Sequence, residues 1–230
     1  MKKLSMLSIV MVAAFCWMAV SAYAAGTVSG KVCFLGEAPA PKKINITKDK
    51  EICGKGDPIS DEMVVGKDGG IRYVVVQIDG AKGKVSPATL DLDQQSCKFK
   101  QHVLVVPAES TVNINNHDGI LHNFHMSSFE NDEINFGQPG DMKTKSIEGD
   151  AFAYPEIAEV KCDVHEWMKS WFVITEHPFV AVTDADGSFK IENVPAGTYT
   201  IKVWHEVLGE SEQEITVKDG DNKVDFSLGK

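Results

Sequence analysis

Apolar and polar residues alternate along most of this chain, and helical spacing is scarce. TVSGKVCFL (Thr27 to Leu35), IRYVVVQI (Ile71 to Ile78) and HVLVVP (His102 to Pro107) are rich in β-branched and apolar residues. Runs of this kind, bounded by turn residues, read as strands. TVNINN places Val112 and Ile114 on one face and Asn113 and Asn115 on the other, because successive strand side chains point to opposite sides. WFVIT, Trp171 to Thr175, reads as a further strand. Turn signals such as GKDGG (Gly66 to Gly70) and DADG (Asp184 to Gly187) separate the runs. The pattern predicts an all-β sandwich.

After His177-Pro178 the alternation becomes cleaner. In FVAVTDADGSFKIENVPAGTYTIKVWHE, Tyr199, Ile201 and Val203 share a face, and in KVDFSL so do Val224, Phe226 and Leu228. A segment of about 53 residues is small for an independent core. It is expected to pack on the preceding domain or to take a strand from it, and GTVSGKVCFLGEAPAP is the candidate strand. The predicted organisation is a leader over 1–24, an N-terminal extension over 25–70, a main β domain over 71–176 and a smaller β module over 177–230.

The leader reading rests on the basic MKK, the apolar LSMLSIVMVAAFCWMAV and the small-residue SAYA before Ala25. These are the parts of a secretory signal peptide, so a periplasmic or secreted protein is expected. The apolar run is short for a membrane anchor, and no later run is long enough to span a bilayer. Losing Lys2 and Lys3 takes the formal charge below its value of -10. Such an acidic chain is poorly suited to nucleic acid or anionic lipid and well suited to a basic protein surface.

Export permits disulfides. Of five cysteines, Cys16 falls in the leader and Cys33, Cys53, Cys97 and Cys162 remain. Cys53 and Cys97 sit outside the clearest strands, whereas Cys33 lies inside one. A Cys53–Cys97 disulfide is therefore predicted, with Cys33 reduced and buried. The absence of C-x-x-C-H and of paired C-x-x-C motifs argues against covalent haem and the usual zinc frameworks.

VKCDVHEWMKSWFVIT, Val160 to Thr175, puts a thiol, an imidazole and a thioether at C-x-x-H-x-x-M spacing ahead of an apolar strand. Upstream, VNINNHDGILHNFHM runs from a strand into a turn and then His122. His122, Cys162, His165 and Met168 together make two imidazoles, a thiolate and a thioether. Two His and one Cys with a weak axial Met is the electron-transfer copper arrangement, and zinc gains little from the thioether. His117 and His125 read as solvated loop residues, His102 as a packed strand-end residue and His205 as a satisfied buried imidazole. Asp184 and Asp186 are too closely spaced for a calcium loop and read as turn chemistry.

VNINNHDGILHNFH followed by CDVHEWM resembles the cupredoxin family, and its loop spacing is most similar to amicyanin and pseudoazurin. The resemblance covers roughly Ile71 to Thr175 and implies a Greek-key β-sandwich. It also implies that His122, Cys162, His165 and Met168 bind one copper ion cycling between Cu(I) and Cu(II). Asn123 matches the residue that ties the two ligand loops together in that family. The chain departs from the family in its N-terminal extension and in AEVK, which lacks the aromatics often found before the Cys. The tail, with D-x-D-G-x-F and P-x-G-x-Y, looks like a carboxypeptidase-regulatory-like or transthyretin-like module.

The function these features imply is single-electron transfer by a periplasmic type 1 copper protein. His165, in the loop, is expected to lie near the surface and act as the electron port. Trp167 and Glu166 beside it suggest a docking patch for a cytochrome c or a copper- or quinone-linked enzyme. Copper storage or delivery is one alternative, and a carbohydrate-binding or adhesive sandwich is another. An oxidase is not expected, because its additional copper centres are commonly signalled by His-x-His or His-Cys-His and this chain has neither.

Overall fold

The computed structural model describes residues 25–55 and 58–229. The expected leader lies outside them. The chain is all-β and forms two sandwiches, each around its own core.

The first sandwich faces a five-stranded sheet against a three-stranded one. The first two strands of the chain, β1 (Ala25–Phe34) and β2 (Val75–Asp79), belong to the second sandwich; the first sandwich is built from β3 (Thr89–Gln94), β4 (Val103–Pro107), β5 (Thr111–Asn116), β6 (His122–Ser127), β7 (Ile134–Gln138), β8 (Thr144–Ile147), β9 (Glu156–Lys161) and β10 (Lys169–Thr175). The larger sheet has the order β4-β10-β9-β6-β7 and the smaller one β3-β5-β8. The chain crosses between them after β3, β4, β5, β7 and β8, and β4 lies parallel to β10. Alternation decides which side chains go inside. Val112 and Ile114 of β5 are buried, as are Phe124 and Met126 of β6. Phe124 and Phe152 both pack against Phe172 of β10, at centroid distances of 5.9 Å.

The second sandwich draws on three stretches of sequence. Its later strands are β11 (Val180–Val182), β12 (Ser188–Pro195), β13 (Gly197–His205), β14 (Gly209–Val217), β15 (Gly220–Lys223) and β16 (Phe226–Leu228). β1 pairs antiparallel with β12 and parallel with β15 and β16. The opposing sheet runs β11-β2-β13-β14. The run Ile71 to Ile78, assigned from sequence to the main domain, therefore belongs here: Val76 faces Val203, and Ile78 faces Ile201. Periodicity shows that a run is a strand and which face is apolar, but not which sheet takes it in. Ile71, Val74, Val76 and Ile78 all join the core of Val203, Ile201, Phe189 and Phe226.

The two sandwiches touch beside the C-x-x-H-x-x-M loop. Trp171 and Trp204 meet edge to face at 4.8 Å, and His102 bonds Glu206, both buried. Between β1 and β2, the described part of residues 35–70 carries a short helix, α1 (Lys50–Cys53). Ile46, Ile52 and Cys53 of this extension pack into the first core. Cys53 and Cys97 form a disulfide with a Cα–Cα distance of 5.2 Å. Cys33 is outside any disulfide and half-buried, short of the full burial expected, because it sits on the face of β1 opposite the buried Val28 and Val32. Among the described residues, no helix is long and apolar enough to cross a membrane.

Candidate metal centre

β6 begins at His122, and it lies antiparallel to β9, whose last residue leads into Cys162. β9 and β10 are antiparallel neighbours, with Lys161 opposite Lys169. The loop joining them is thus fixed at both ends beside the start of β6. The Cys162 N–H donates to the Met168 carbonyl at 3.2 Å, and the Met168 N–H donates to the His165 carbonyl at 2.8 Å, which closes the loop on itself. Ahead of His122 the chain turns through Gly119 at φ 70. A Cβ on Gly140 would lie 2.1 Å from the Gly119 carbonyl oxygen, so only glycine fits against this turn.

These constraints bring His122, Cys162 and His165 together. One donor atom from each lies within 4.8 Å of the others, and all three residues are buried. The two Nδ1 atoms are 3.1 Å apart, and His165 Nδ1 is 3.8 Å from Cys162 Sγ. Met168 is buried at the end of the same loop, 1 % exposed. An ion with two nitrogens at about 2.0 Å and one sulfur at about 2.3 Å in trigonal array needs N···N near ~3.5 Å and N···S near ~3.7 Å. The donor set fits a soft or borderline metal ion in both spacing and type.

The outer edges of both rings are occupied by carboxylates. Asp118 Oδ2 is 2.9 Å from His122 Nε2, and Asp49 Oδ2 is 2.8 Å from His165 Nε2. A carboxylate on Nε2 holds a proton there, so that a ring in its neutral, metal-binding form turns its Nδ1 lone pair inward. Neither acid was singled out in the sequence. Asp118 had a signal, standing four residues before His122 in a tight turn. Asp49 had none, being 116 positions from its partner. Asp118 also accepts the N–H groups of Ser96 and Cys97, at 2.6 and 2.8 Å.

The electrostatics follow from this packing. Burial works against charge on His122, yet Asp118 and the Cys162 thiolate outweigh it and lift the imidazole to about 9. Burial pushes the Cys162 thiol up, while His122, His165 and the N–H groups of His165 and Asn123 draw it down to about 6. His165 is raised against burial by Cys162 and Asp49. In the absence of metal, the cluster favours a thiolate facing imidazolium.

His165 is fully buried and not the surface ligand expected from its loop. Trp167 lies over it at 5.2 Å between centroids, and the indole N–H donates to the Cys97 carbonyl at 3.0 Å. The extension covers the remaining edge through Asp49. The other histidines divide. His102 and His205 are buried. His117 is exposed on Asp93. His125 is not in a loop but in β6, held between Asp163 and Glu133.

Residues 173–229 match the family model of the carboxypeptidase regulatory-like domain. The match accounts for β11 to β16, while the structure adds β1 and β2 to the same sandwich. No curated protein matches the chain. Among solved structures, a copper-containing nitrite reductase from Thermus scotoductus SA-01 is 21% identical over 42% of this chain and 24% of its own, with a TM-score of 0.33. The chain thus spans about a quarter of that enzyme's length. The reduced Cu(I) form at pH 4 of an amicyanin variant is 17% identical over 44% of this chain and 98% of its own, with a TM-score of 0.30. At that level of superposition, neither likeness bears on the chemistry of the site.

Proposed function

We propose that this chain is an exported type 1 copper protein that carries single electrons, holding one ion between His122, Cys162, His165 and Met168. The observation that carries the reading is the buried convergence of two Nδ1 atoms and one cysteine sulfur at spacing close to trigonal. Bound there, copper supplies a reversible one-electron couple. The protein supplies the rest. Asp118 and Asp49 hold the two rings, and Asn123 and His165 direct their N–H groups at the sulfur, at 3.3 and 3.4 Å. Strands on both sides fix the ends of the ligand loop, so the four residues would hold an ion with little rearrangement of the backbone. With His165 sealed, half-buried Trp167 and exposed Glu166 form the face offered to a basic partner such as a cytochrome c.

The chain is read as a carrier and not as an enzyme. Storage with ready delivery fits less well, because both imidazoles are fully buried. The visible spectrum of the copper-loaded, oxidised full chain tests the proposal. A strong thiolate-to-Cu(II) band that vanishes in Cys162→Ala supports it. Tight zinc binding with no such copper band sinks it, in favour of a closed structural site.

A further inference from the structure

We infer that the N-terminal extension is a disulfide-pinned cap on the metal centre, and that Asp49 is the positioning residue through which it holds His165. The inference rests on the copper reading for its consequence, but on the chain's own contacts for its argument.

Asp49 sits at the N-cap of α1, where a carboxylate ordinarily accepts from the first backbone N–H groups. It makes no such bond; its backbone is left-handed at φ 46 and ψ 42, a conformation that Asp tolerates better than most residues other than glycine. The side chain is spent instead on His165 Nε2, 2.8 Å away. His165 is 0% exposed and the Asp49 side chain 44%, so the carboxylate stands between the ring and solvent.

Four residues on, Cys53 ties the same short helix to Cys97, and sulfurs of both lie within 4.8 Å of a His165 ring nitrogen. Cys97 is itself built into the centre. Its N–H donates to Asp118, which holds His122, and its carbonyl accepts from Trp167, which covers His165. The disulfide therefore joins the supports of both imidazoles. The cap is seated independently as well. Ile46 and Ile52 enter the first core, and Lys98, next to Cys97, reaches the Ile59 carbonyl at 2.8 Å and the Asp61 carboxylate. A segment present only to link β1 to β2 has no need of a buried histidine contact, a disulfide and an ion pair on one loop.

The consequence is a site whose outer imidazole is reached only when the cap moves. The test uses the full chain as wild type, Asp49→Ala, Asp49→Asn and the double variant Cys53→Ala/Cys97→Ala, each checked by thermal melt. Metal-free protein is treated with diethyl pyrocarbonate, and modification of His165 is followed by peptide mass spectrometry. His165 is expected to be protected in wild type and in Asp49→Asn, which keeps an acceptor, and to react severalfold faster in Asp49→Ala and in the double variant. Copper-loaded protein is then challenged with a chelator. Removing a group that orients a metal-bound imidazole weakens metal affinity by about 10- to 100-fold, so copper loss should be faster in Asp49→Ala, with the thiolate band retained. If Asp49→Ala does not fold, the double variant still reads the cap. Equal His165 protection in wild type and in whichever of these two folds overturns the inference. A wild type that takes up no copper overturns the copper reading instead, and leaves the metal-free comparison standing.

Discussion

The backbone N–H of Asn123 donates to the sulfur of Cys162 across 3.3 Å, linking residues 39 positions apart. The Asn123 side chain continues the seam: its oxygen accepts the Asp163 N–H at 3.0 Å, and its nitrogen donates to Asn135 Oδ1 and the Phe136 carbonyl. One residue thus holds the strand end bearing His122 against the loop bearing Cys162. Asn123→Ala strands a part-buried N–H and a carbonyl, at a cost of about 1–3 kcal/mol. For a chain of this size the melting temperature should fall by roughly 3–10 °C. The copper-loaded variant should keep a thiolate band, since the bond to sulfur comes from the backbone, but the band should broaden. An unchanged melt would show that the two segments are held elsewhere.

Much of the site could be read from local pattern, and its surroundings could not. The C-x-x-H-x-x-M spacing, the strand before His122 and the Cys53–Cys97 pairing all come from short-range cues or from elimination among few cysteines. Asp49, the burial of His165 and the placement of β2 depend on which distant segments meet. Alternation in Ile71 to Ile78 shows an apolar face, yet the partner could equally have been β4 or β13. Beyond β1 the extension lacks periodicity, so its seat could not be read, and this part is held by a disulfide, an ion pair and two isoleucines.

Met168 is expected to tune the centre more than it holds it. Met168→Gln should retain the thiolate band and lower the reduction potential, because an amide oxygen favours the oxidised ion more than a thioether does. Cyclic voltammetry beside the visible spectrum checks this. Loss of copper in the variant would make the thioether a principal ligand, and an unmoved potential would remove it from the ligand set.

His205 gives the second sandwich a pH dependence separate from the site. Burial lowers its imidazole to about 4, with His102 adding to the shift and Glu206 opposing it. The folded value lies below the unfolded one, so the unfolded chain binds the extra proton between them. Stability is therefore full above pH ~6.5 and falls as the pH drops toward 4, by roughly 3 kcal/mol at most. His205→Phe should flatten the difference in melting temperature between pH 6.5 and 5 while leaving any copper spectrum in place. An equal slope in wild type and variant would assign the acid sensitivity to other groups.

His102 and Glu206 form a buried bond across the two sandwiches, with side chains 5% and 6% exposed, and Lys169 stands 3.9 Å from the same carboxylate. Burial raises Glu206, but His102 and Lys169 bring it below its ordinary value, with the Trp171 side chain also contributing. Removing one member of such a pair leaves the other buried without a partner, at about 3–5 kcal/mol. Replacing both with apolar residues of similar volume is often close to neutral. Glu206→Gln should therefore destabilise less than Glu206→Leu, because the amide can still meet His102. The double variant His102→Leu/Glu206→Leu should recover much of the loss seen in Glu206→Leu. Lys169 follows Met168 directly, so the pair also braces the end of the ligand loop. If that bracing matters, Glu206→Leu shifts the copper band as well as the melt, and the double variant restores the melt without restoring the band. A single-variant effect confined to the melt would make the contact purely a tie between the two sandwiches.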